Sequence, residues 1–282
     1  MIAAGLLALS MIAATLPQDA PSQAPAQTPA QPSTPAPAQT APESKTAERK
    51  QPSAKSQDEY NAYRAVTMQP DLLSAERLAT DFASRYPQSE LREAMYQTLM
   101  LKQQSANRAE AALANAEKVL LLNPDNVVAL VVAANVLSER TLPTAADAGD
   151  RFERGMRYAE RALQNIDTNG VTAPESAAPE DVAAYRAALT AVAQAAEGNI
   201  ELLRKNYMEA EKHLQQAIAS APQPDALALF RLALAQHGLK RLDDALANVN
   251  RAMATAGNAR DLLLEERIKQ ERATLIKAGA KS

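Results

Sequence analysis

The segments AERLATDFASRYP (residues 75–87) and ALANAEKVLLLNP (residues 112–124) decide the fold class of this chain. Each begins with Ala, has a second Ala four residues later and an apolar residue three residues after that, and reaches Pro after five more. Residues four and seven apart lie on one face of an α-helix, and Pro commonly follows the end of a helix. The pattern therefore predicts two helices, each with a small-residue face that another helix can approach closely.

The same spacing occurs three more times toward the C-terminus, so one helical unit is repeated along the chain. The further copies are Gly155, Ala159, Ala162, Asp167; Ala210, Leu214, Ala217, Pro222; and Ala245, Val249, Ala252, Gly257. A single pair of helices cannot bury its apolar face alone, whereas stacked pairs build a continuous core. We therefore expect an all-α stack. No β-sheet is expected, because no segment alternates β-branched and polar residues between turn signals.

The repeated segments resemble the second helix of the tetratricopeptide repeat (TPR), whose signature includes A-x3-F and a later Pro, with a period of about 34 residues. The segments before them match the first-helix signature W-x2-L-G-x2-Y more loosely, and the first copy lies around Tyr60 and Tyr63. The other matches are Tyr96, Leu99, Met100, Gln103; Leu130, Ala133, Ala134, Leu137; Gln194, Glu197, Gly198, Glu201; and Leu229, Leu232, Ala233, Gln236. The resemblance implies an α-solenoid of about five TPR-like helix pairs, and it concerns architecture rather than activity.

Three parts are expected along the chain: a signal-peptide-like apolar segment (1–16), a disordered linker (17–57) and the solenoid (58–282). The first part is apolar from Ile2 to Leu9 and from Met11 to Ala14. As a helix it would extend roughly 22 Å, short of the ~30 Å hydrocarbon core, so it resembles a signal peptide more than a stable membrane span. No Lys or Arg precedes it. Two alternatives remain open, a nonfunctional apolar start and a true start upstream of Met1.

The linker and the C-terminal end differ sharply in composition. Residues 17–57 consist mainly of Pro, Ala, Gln, Ser and Thr without apolar periodicity, so they cannot bury a core. The segment Arg260 to Ala278 instead places apolar residues among charged ones, which predicts a capping helix with a polar outer face. The apolar residues of this segment are Leu262, Leu263, Ile268 and Leu275.

Extra chain is inserted at two places in the repeat. One is Arg140 to Asp150, between the two helices of the third pair, and the other is Asn165 to Glu180, between the third and fourth pairs. Long connections in compact solenoids are binding elements or surface insertions. Because one lies within a pair and the other between pairs, we expect them on opposite edges of the stack.

Charge and composition exclude several classes of function. The net charge of −3, with basic residues interleaved with acidic ones, argues against a nucleic-acid partner. Cysteine is absent, which removes disulfides and thiolate chemistry. His213, expected to be exposed, and His237 have no neighbours at metal-ligand spacing, and no nucleotide-binding or nucleophile motif is present. We therefore predict no catalytic, cofactor or metal site.

In TPR proteins the first helices line a concave groove, and the resemblance implies which residues would line it here. Asn135 and Arg231 match two positions of the clamp with which some members bind a C-terminal carboxylate, whereas Val131 and Leu227 stand where Lys is expected. The alternative for Phe230 and Leu234 is that they pack against the capping helix or a neighbouring repeat. The implied groove positions are Gln97, Leu101, Gln104, Val131, Asn135, Ser138, Leu227, Phe230, Arg231, Leu234 and His237, and the candidate partner-binding residues among them are Asn135, Phe230, Arg231, Leu234 and His237.

Together these features predict a non-catalytic protein-interaction scaffold that binds a peptide or helix of a partner protein. The apolar N-terminus places it in the periplasm or at the cell envelope, with no stable membrane span after processing. The alternatives are an accessory subunit of an envelope enzyme or glycan-processing complex, and a cytoplasmic TPR scaffold.

Overall fold

The computed structural model describes residues 52–167, 177–223, 225–256 and 261–281, and the described part of the chain contains eleven α-helices and no β-strand. The predicted signal segment and nearly all of the predicted linker lie outside the described residues. The helices are α1 (Gln57–Thr67), α2 (Leu72–Arg85), α3 (Arg92–Ser105), α4 (Ala109–Leu122), α5 (Val127–Arg140), α6 (Ala148–Asp167), α7 (Pro179–Leu203), α8 (Tyr207–Ser220), α9 (Ala226–Gly238), α10 (Leu242–Ala256) and α11 (Leu262–Lys277). None of these helices is both long and apolar enough to cross a membrane.

The helices pack in sequence order as five pairs, α1–α2, α3–α4, α5–α6, α7–α8 and α9–α10, followed by α11. Each second helix also packs on the first helix of the next pair. First helices of successive pairs also contact each other at α1–α3, α5–α7 and α7–α9, and α11 contacts α9 as a further first helix would. The predicted all-α stack of about five helix pairs with a C-terminal capping helix is therefore confirmed.

The small-residue pattern forms the contact surfaces between helices. Its residues in α2, α4, α8 and α10 are all buried. Gly155 of α6 shows why a small side chain is required, because a Cβ atom there would lie 2.8 Å from Ile200 Cδ1 of α7. Gly198 of α7 likewise faces Leu214 of α8, where a Cβ atom would lie 2.6 Å from Leu214 Cγ. The first-helix register assigned to the fourth pair from the sequence is therefore correct.

The turn between the two helices recurs in the second, fourth and fifth pairs. Asn107, Lys205 and Lys240 adopt the left-handed conformation there, with φ of 56°, 64° and 64°. In each turn the next N–H donates to the carbonyl five residues earlier, which satisfies an end carbonyl of the first helix. These bonds join Arg108 to Gln103 (2.8 Å), Asn206 to Glu201 (2.9 Å) and Arg241 to Gln236 (2.9 Å). In the third pair, residues 141–147 replace this turn, as the first predicted insertion implies.

The second predicted insertion is partly helical rather than a loop. Residues 168–176 lie outside the described part, so the prediction of opposite edges stays untested. The helix α7, however, begins at Pro179 and has 25 residues, whereas α5 has 14. The first half of α7 places Leu189 in the same core as Val127 and Val131 of α5. Because α7 packs along α5, nearly every residue of α5 is buried, as expected for a helix that is apolar all round.

The capping helix α11 docks through two of the four apolar residues that the sequence indicated. Leu262 and Leu263 are 75% and 78% exposed, so the expectation is wrong for these two. Ile268 and Leu275 are fully buried and pack against α9 and α10. These two residues are seven apart and lie on one helical face, whereas Leu262 and Leu263 lie at the first turn of the helix.

Candidate interaction face on the first helices

The structure divides the predicted groove positions into an accessible and a closed part. Gln97, Leu101 and Gln104 share one face of α3 and are half-buried, so they remain accessible. Tyr60 and Arg64 of α1 precede Gln97 and Leu101 by the same number of residues that separates Ala75 from Ala112, the starts of the first two copies of the pattern. They therefore occupy the corresponding positions of the first pair. Both are exposed, Tyr60 at 39%. We call these five residues of α1 and α3 the N-terminal section of the face.

The part of the face on α5 is closed. Val131 and Ser138 are fully buried, and Asn135 is 8% exposed. The helix α7 contributes to this closure, because Asn199 Nδ2 donates a hydrogen bond of 2.7 Å to the carbonyl oxygen of Ser138. The implied open groove at the third pair is therefore wrong, because α7 packs closely along α5.

The part of the face on α9 is covered by the capping helix. Phe230 is 3% exposed and shares a core with Ile268 and Leu275 of α11. The guanidinium of Arg267 lies 5.4 Å from the centre of the Phe230 ring. The expectation that Phe230 is exposed in a groove is therefore wrong, and the alternative, packing against the capping helix, is confirmed for it. Leu234 is half-buried against the same core.

The two charged candidates on α9 are held by partners within the chain. Arg231 Nη2 lies 2.6 Å from Glu139 Oε1, and their side chains are only 13% and 15% exposed. This ion pair joins α9 to α5 across α7. His237 Nδ1 lies 2.6 Å from Glu271 Oε1 of α11. The carboxylate clamp that the resemblance implied would require Arg231 to leave Glu139, and such a separation would strand a poorly solvated carboxylate.

Two side-chain amides of the face are buried without a partner among the described residues. They are Gln104 Nε2 of α3 and Asn135 Nδ2 of α5. A buried donor without a hydrogen bond costs about 1–3 kcal/mol. The helices α3 and α5 run side by side, since Asn126 Nδ2 donates to Gln97 Oε1 at 2.8 Å and Arg140 Nη2 donates to Asn107 Oδ1 at 3.0 Å. The two unsatisfied donors therefore lie on neighbouring helices at the boundary between the accessible and closed parts.

Sequence reasoning missed a polar network that occurs twice. Between the first and second pairs, Gln103 Nε2 donates to Glu76 Oε1 (2.6 Å), Arg108 Nη1 donates to the same oxygen (3.1 Å), and Asn115 Nδ2 donates to Gln103 Oε1 (2.7 Å). The fourth and fifth pairs repeat these bonds at corresponding positions. They join Gln236 to Glu211 (3.0 Å), Arg241 to Glu211 (2.7 Å) and Asn248 to Gln236 (2.9 Å). The signal in the sequence was Gln at the Tyr position of the first-helix signature.

His213 is less exposed than the sequence suggested. Its side chain is 18% exposed, and its Nδ1 lies 2.9 Å from Glu197 Oε2 of α7. This contact raises the pKa of His213 above its usual value, while burial opposes the increase. Among the described residues, no group of three or more His, Asp or Glu side chains could hold a metal ion.

A solved TPR protein of Thermus thermophilus is similar to this chain, with 22% sequence identity and a TM-score of 0.43. The similarity covers 76% of this chain and 98% of that one. No family model matches the chain, and no curated protein matches it. The described part of the chain is an all-helical repeat, as its own helix order and packing show.

Proposed function

We propose that this protein is a non-catalytic interaction scaffold that binds a peptide segment of a partner protein at the N-terminal section of the face. The observation that carries the proposal is the accessible face of α1 and α3, in which Gln104 Nε2 has no hydrogen-bond partner among the described residues. Donors that are buried without partners destabilise the free protein. Such a cost is typical of groups that gain their hydrogen bonds in a complex.

The chemistry of the section suits an extended peptide. Amide N–H groups can donate to main-chain carbonyl oxygens of a bound chain, which gives affinity without demanding one peptide sequence. Tyr60 and Leu101 supply aromatic and aliphatic contact area for one or two side chains of the peptide. Arg64 is exposed and adds a positive charge at the edge of the section. A few such anchors normally provide most of the binding energy.

Site-specific photocrosslinking in cells tests this proposal. A photoreactive residue at Leu101 should yield a discrete crosslinked product with one partner. The matched control is Leu121 of α4, which is 84% exposed and lies on a second helix. Binding of the identified partner to the purified protein should then weaken by about 1–3 kcal/mol in Gln104→Ala. Equal crosslinking from both positions, or unchanged affinity of Gln104→Ala, would contradict the proposal.

We also propose that the protein is exported to the periplasm or cell envelope. The support is the apolar run of residues 1–16 followed by the Pro- and Ala-rich linker. Mass spectrometry of the N-terminus in cells tests it, since export with processing would yield a chain beginning after residue 13. An intact Met1 together with a cytoplasmic fraction would instead favour a cytoplasmic scaffold. Capture of an envelope enzyme by the Leu101 crosslinker would favour the accessory-subunit alternative.

A further inference from the structure

A cleft of about 310 Å³ lies on the other side of the second pair, away from the predicted groove. Its walls are α2 and α4, and its floor is formed by α3. The charged side chains at its lining are Glu76, Arg108 and Lys118. The cleft therefore combines space with charge on a part of the molecule that the proposed peptide site does not use.

The charged side chains of the lining differ in whether they form an ion pair. Arg108 is bonded to Glu76, so these two charges neutralise each other. Within the described part of the chain, Lys118 forms no ion pair, and its ammonium lies 5.1 Å from the centre of the Tyr96 ring. Asn115 donates through Nδ2 to Gln103, and its Oδ1 accepts no hydrogen bond from the described residues. The cleft thus has one unpaired cation beside an unused hydrogen-bond acceptor.

Between the fourth and fifth pairs, the same polar network is surrounded by different side chains. Larger or charged residues replace the small ones of the cleft wall. The replacements are Leu214 for Ala79, Gln215 for Thr80 and Asp244 for Ala111. Gln215 Nε2 donates to Glu211 Oε1 at 3.2 Å, and Arg241 Nη2 lies 2.7 Å from Asp244 Oδ2. Two of the side chains that enlarge these positions therefore bond to the network itself.

The residue that corresponds to Lys118 also behaves differently in the fifth pair. It is Arg251, whose Nη1 donates to Asn248 Oδ1 at 2.8 Å. The chain itself thus satisfies this acceptor in the fifth pair, whereas in the second pair both the acceptor and the cation remain uncommitted. The polar network occurs in both places, so it belongs to the packing of the repeat. The open cleft with its free cation occurs in the second pair as an addition to that network.

We propose that this cleft is a second binding site, which receives the carboxylate side chain of an Asp or Glu residue of a partner protein. The carboxylate accepts a hydrogen bond from the Lys118 ammonium. A main-chain N–H of the same partner segment donates to Asn115 Oδ1. The small residues Ala111 and Thr80 leave room for the backbone of that segment to approach.

Nuclear magnetic resonance titration of the ¹⁵N-labelled full-length chain tests the site. The probes are acetyl-Gly-Glu-Gly-amide, the corresponding Gln peptide, and acetate. We expect saturable shifts of the Thr80, Ala111 and Lys118 amides with the Glu peptide, at an affinity up to about fivefold above that of the Gln peptide, as one partly exposed ion pair allows. Equal affinity for the two peptides would overturn the proposal. Shifts from acetate equal to those from the Glu peptide would reduce the cleft to a general carboxylate site and overturn the assignment to a protein partner.

Three variants sharpen the test. In Lys118→Gln the preference for the Glu peptide should disappear, whereas the same change at the corresponding position, Arg251→Gln, should leave it unchanged. In Ala111→Asp the cleft gains the residue of the fifth pair, whose carboxylate can pair with Arg108, and peptide binding should be lost. Ala111 is partly buried and Lys118 is exposed, and an unchanged circular dichroism spectrum verifies that the variants fold. Retention of the preference in Lys118→Gln would show that the cleft does not bind carboxylate through this residue.

Discussion

At the scale of single residues, polar groups inside the stack divide into those that complete a network and those that do not. Gln103 and Gln236 are nearly fully buried, yet their amides bond on both sides. Such groups specify which helices meet, because removal of one partner would leave the others unsatisfied. Asn135 differs from them, since its Nδ2 has no partner within the described residues. That donor therefore adds no hydrogen bond to the stability of the fold.

Substitution of Asn135 by Leu should therefore separate stability from function. The apolar side chain removes an unsatisfied donor at similar volume, so the free energy of unfolding should stay the same or rise by up to about 2 kcal/mol. Affinity for the partner peptide should stay unchanged, because Asn135 lies in the closed part of the face. Chemical denaturation and a binding assay on one preparation measure both quantities. A loss of more than about 1 kcal/mol in stability would mean that Asn135 supports the fold.

His213 makes the stability of the fourth pair depend on pH. Glu197 raises the pKa of His213 in the folded state above the unfolded value of about 6.5. The charged form is therefore favoured by folding, and its contribution is fully present below about pH 6.5 and is lost as the pH rises through the folded-state pKa. The other charged groups near the ring are Glu209 and Lys212. The unfolding free energy of the wild type relative to His213→Gln should decrease from pH 5.5 to pH 8.5. A difference that stays constant over this range would show that the His213–Glu197 contact does not favour the protonated ring.

At the scale of helices, the sequence predicted what short-range spacing determines. The small-residue faces of α2, α4, α8 and α10 follow from residues three and four apart, and each is buried as expected. The closure of the groove could not be predicted, because it depends on how closely α7 packs along α5, a long-range contact. The docking face of α11 could have been found. Leu264, Ile268 and Leu275 recur at helical spacing, whereas Leu262 and Leu263 do not continue that stripe.

The docking of the capping helix α11 should depend on Ile268 and Leu275 and not on Leu262 and Leu263. Replacement of Ile268 and Leu275 with Asp should undock α11, because each fully buried side chain contributes about 2–5 kcal/mol relative to Ala and Asp is worse. The apolar edge of α9 and α10 would then be exposed, and the protein should self-associate. The matched control replaces Leu262 and Leu263 with Asp and should remain stable, since both side chains are already exposed. Light scattering after size-exclusion chromatography distinguishes the two variants, and self-association of the control alone would mean that α11 docks through its beginning.

At the scale of the whole molecule, the first helices of the third, fourth and fifth pairs are joined to one another more tightly than those of the first two pairs. The ion pair between Glu139 and Arg231 links the third pair to the fifth, and α7 fills the space between them. The first two pairs have no corresponding long helix among the described residues, and their groove face stays accessible. Both proposed sites lie on these first two pairs. The face on the first helices is thus closed at α5 and covered at α9, and it is accessible in the first two pairs.

The N-terminal boundary of the folded part follows from contacts just before α1. Ser53 N donates to Glu90 Oε2 at 3.2 Å, and Ser56 Oγ caps α1 by accepting from Glu59 N at 3.1 Å. Deletion of residues 1–51 should therefore leave the thermal transition unchanged. Deletion of residues 1–57 removes the cap and these contacts, and should lower stability by about 0.5–2 kcal/mol without abolishing the helical signal. Calorimetry of the two truncated proteins beside the full chain measures the difference. Equal midpoints for both truncations would show that Ser53 and Ser56 do not anchor the first pair, whereas a lower midpoint after deletion of residues 1–51 would extend the folded part toward the N-terminus.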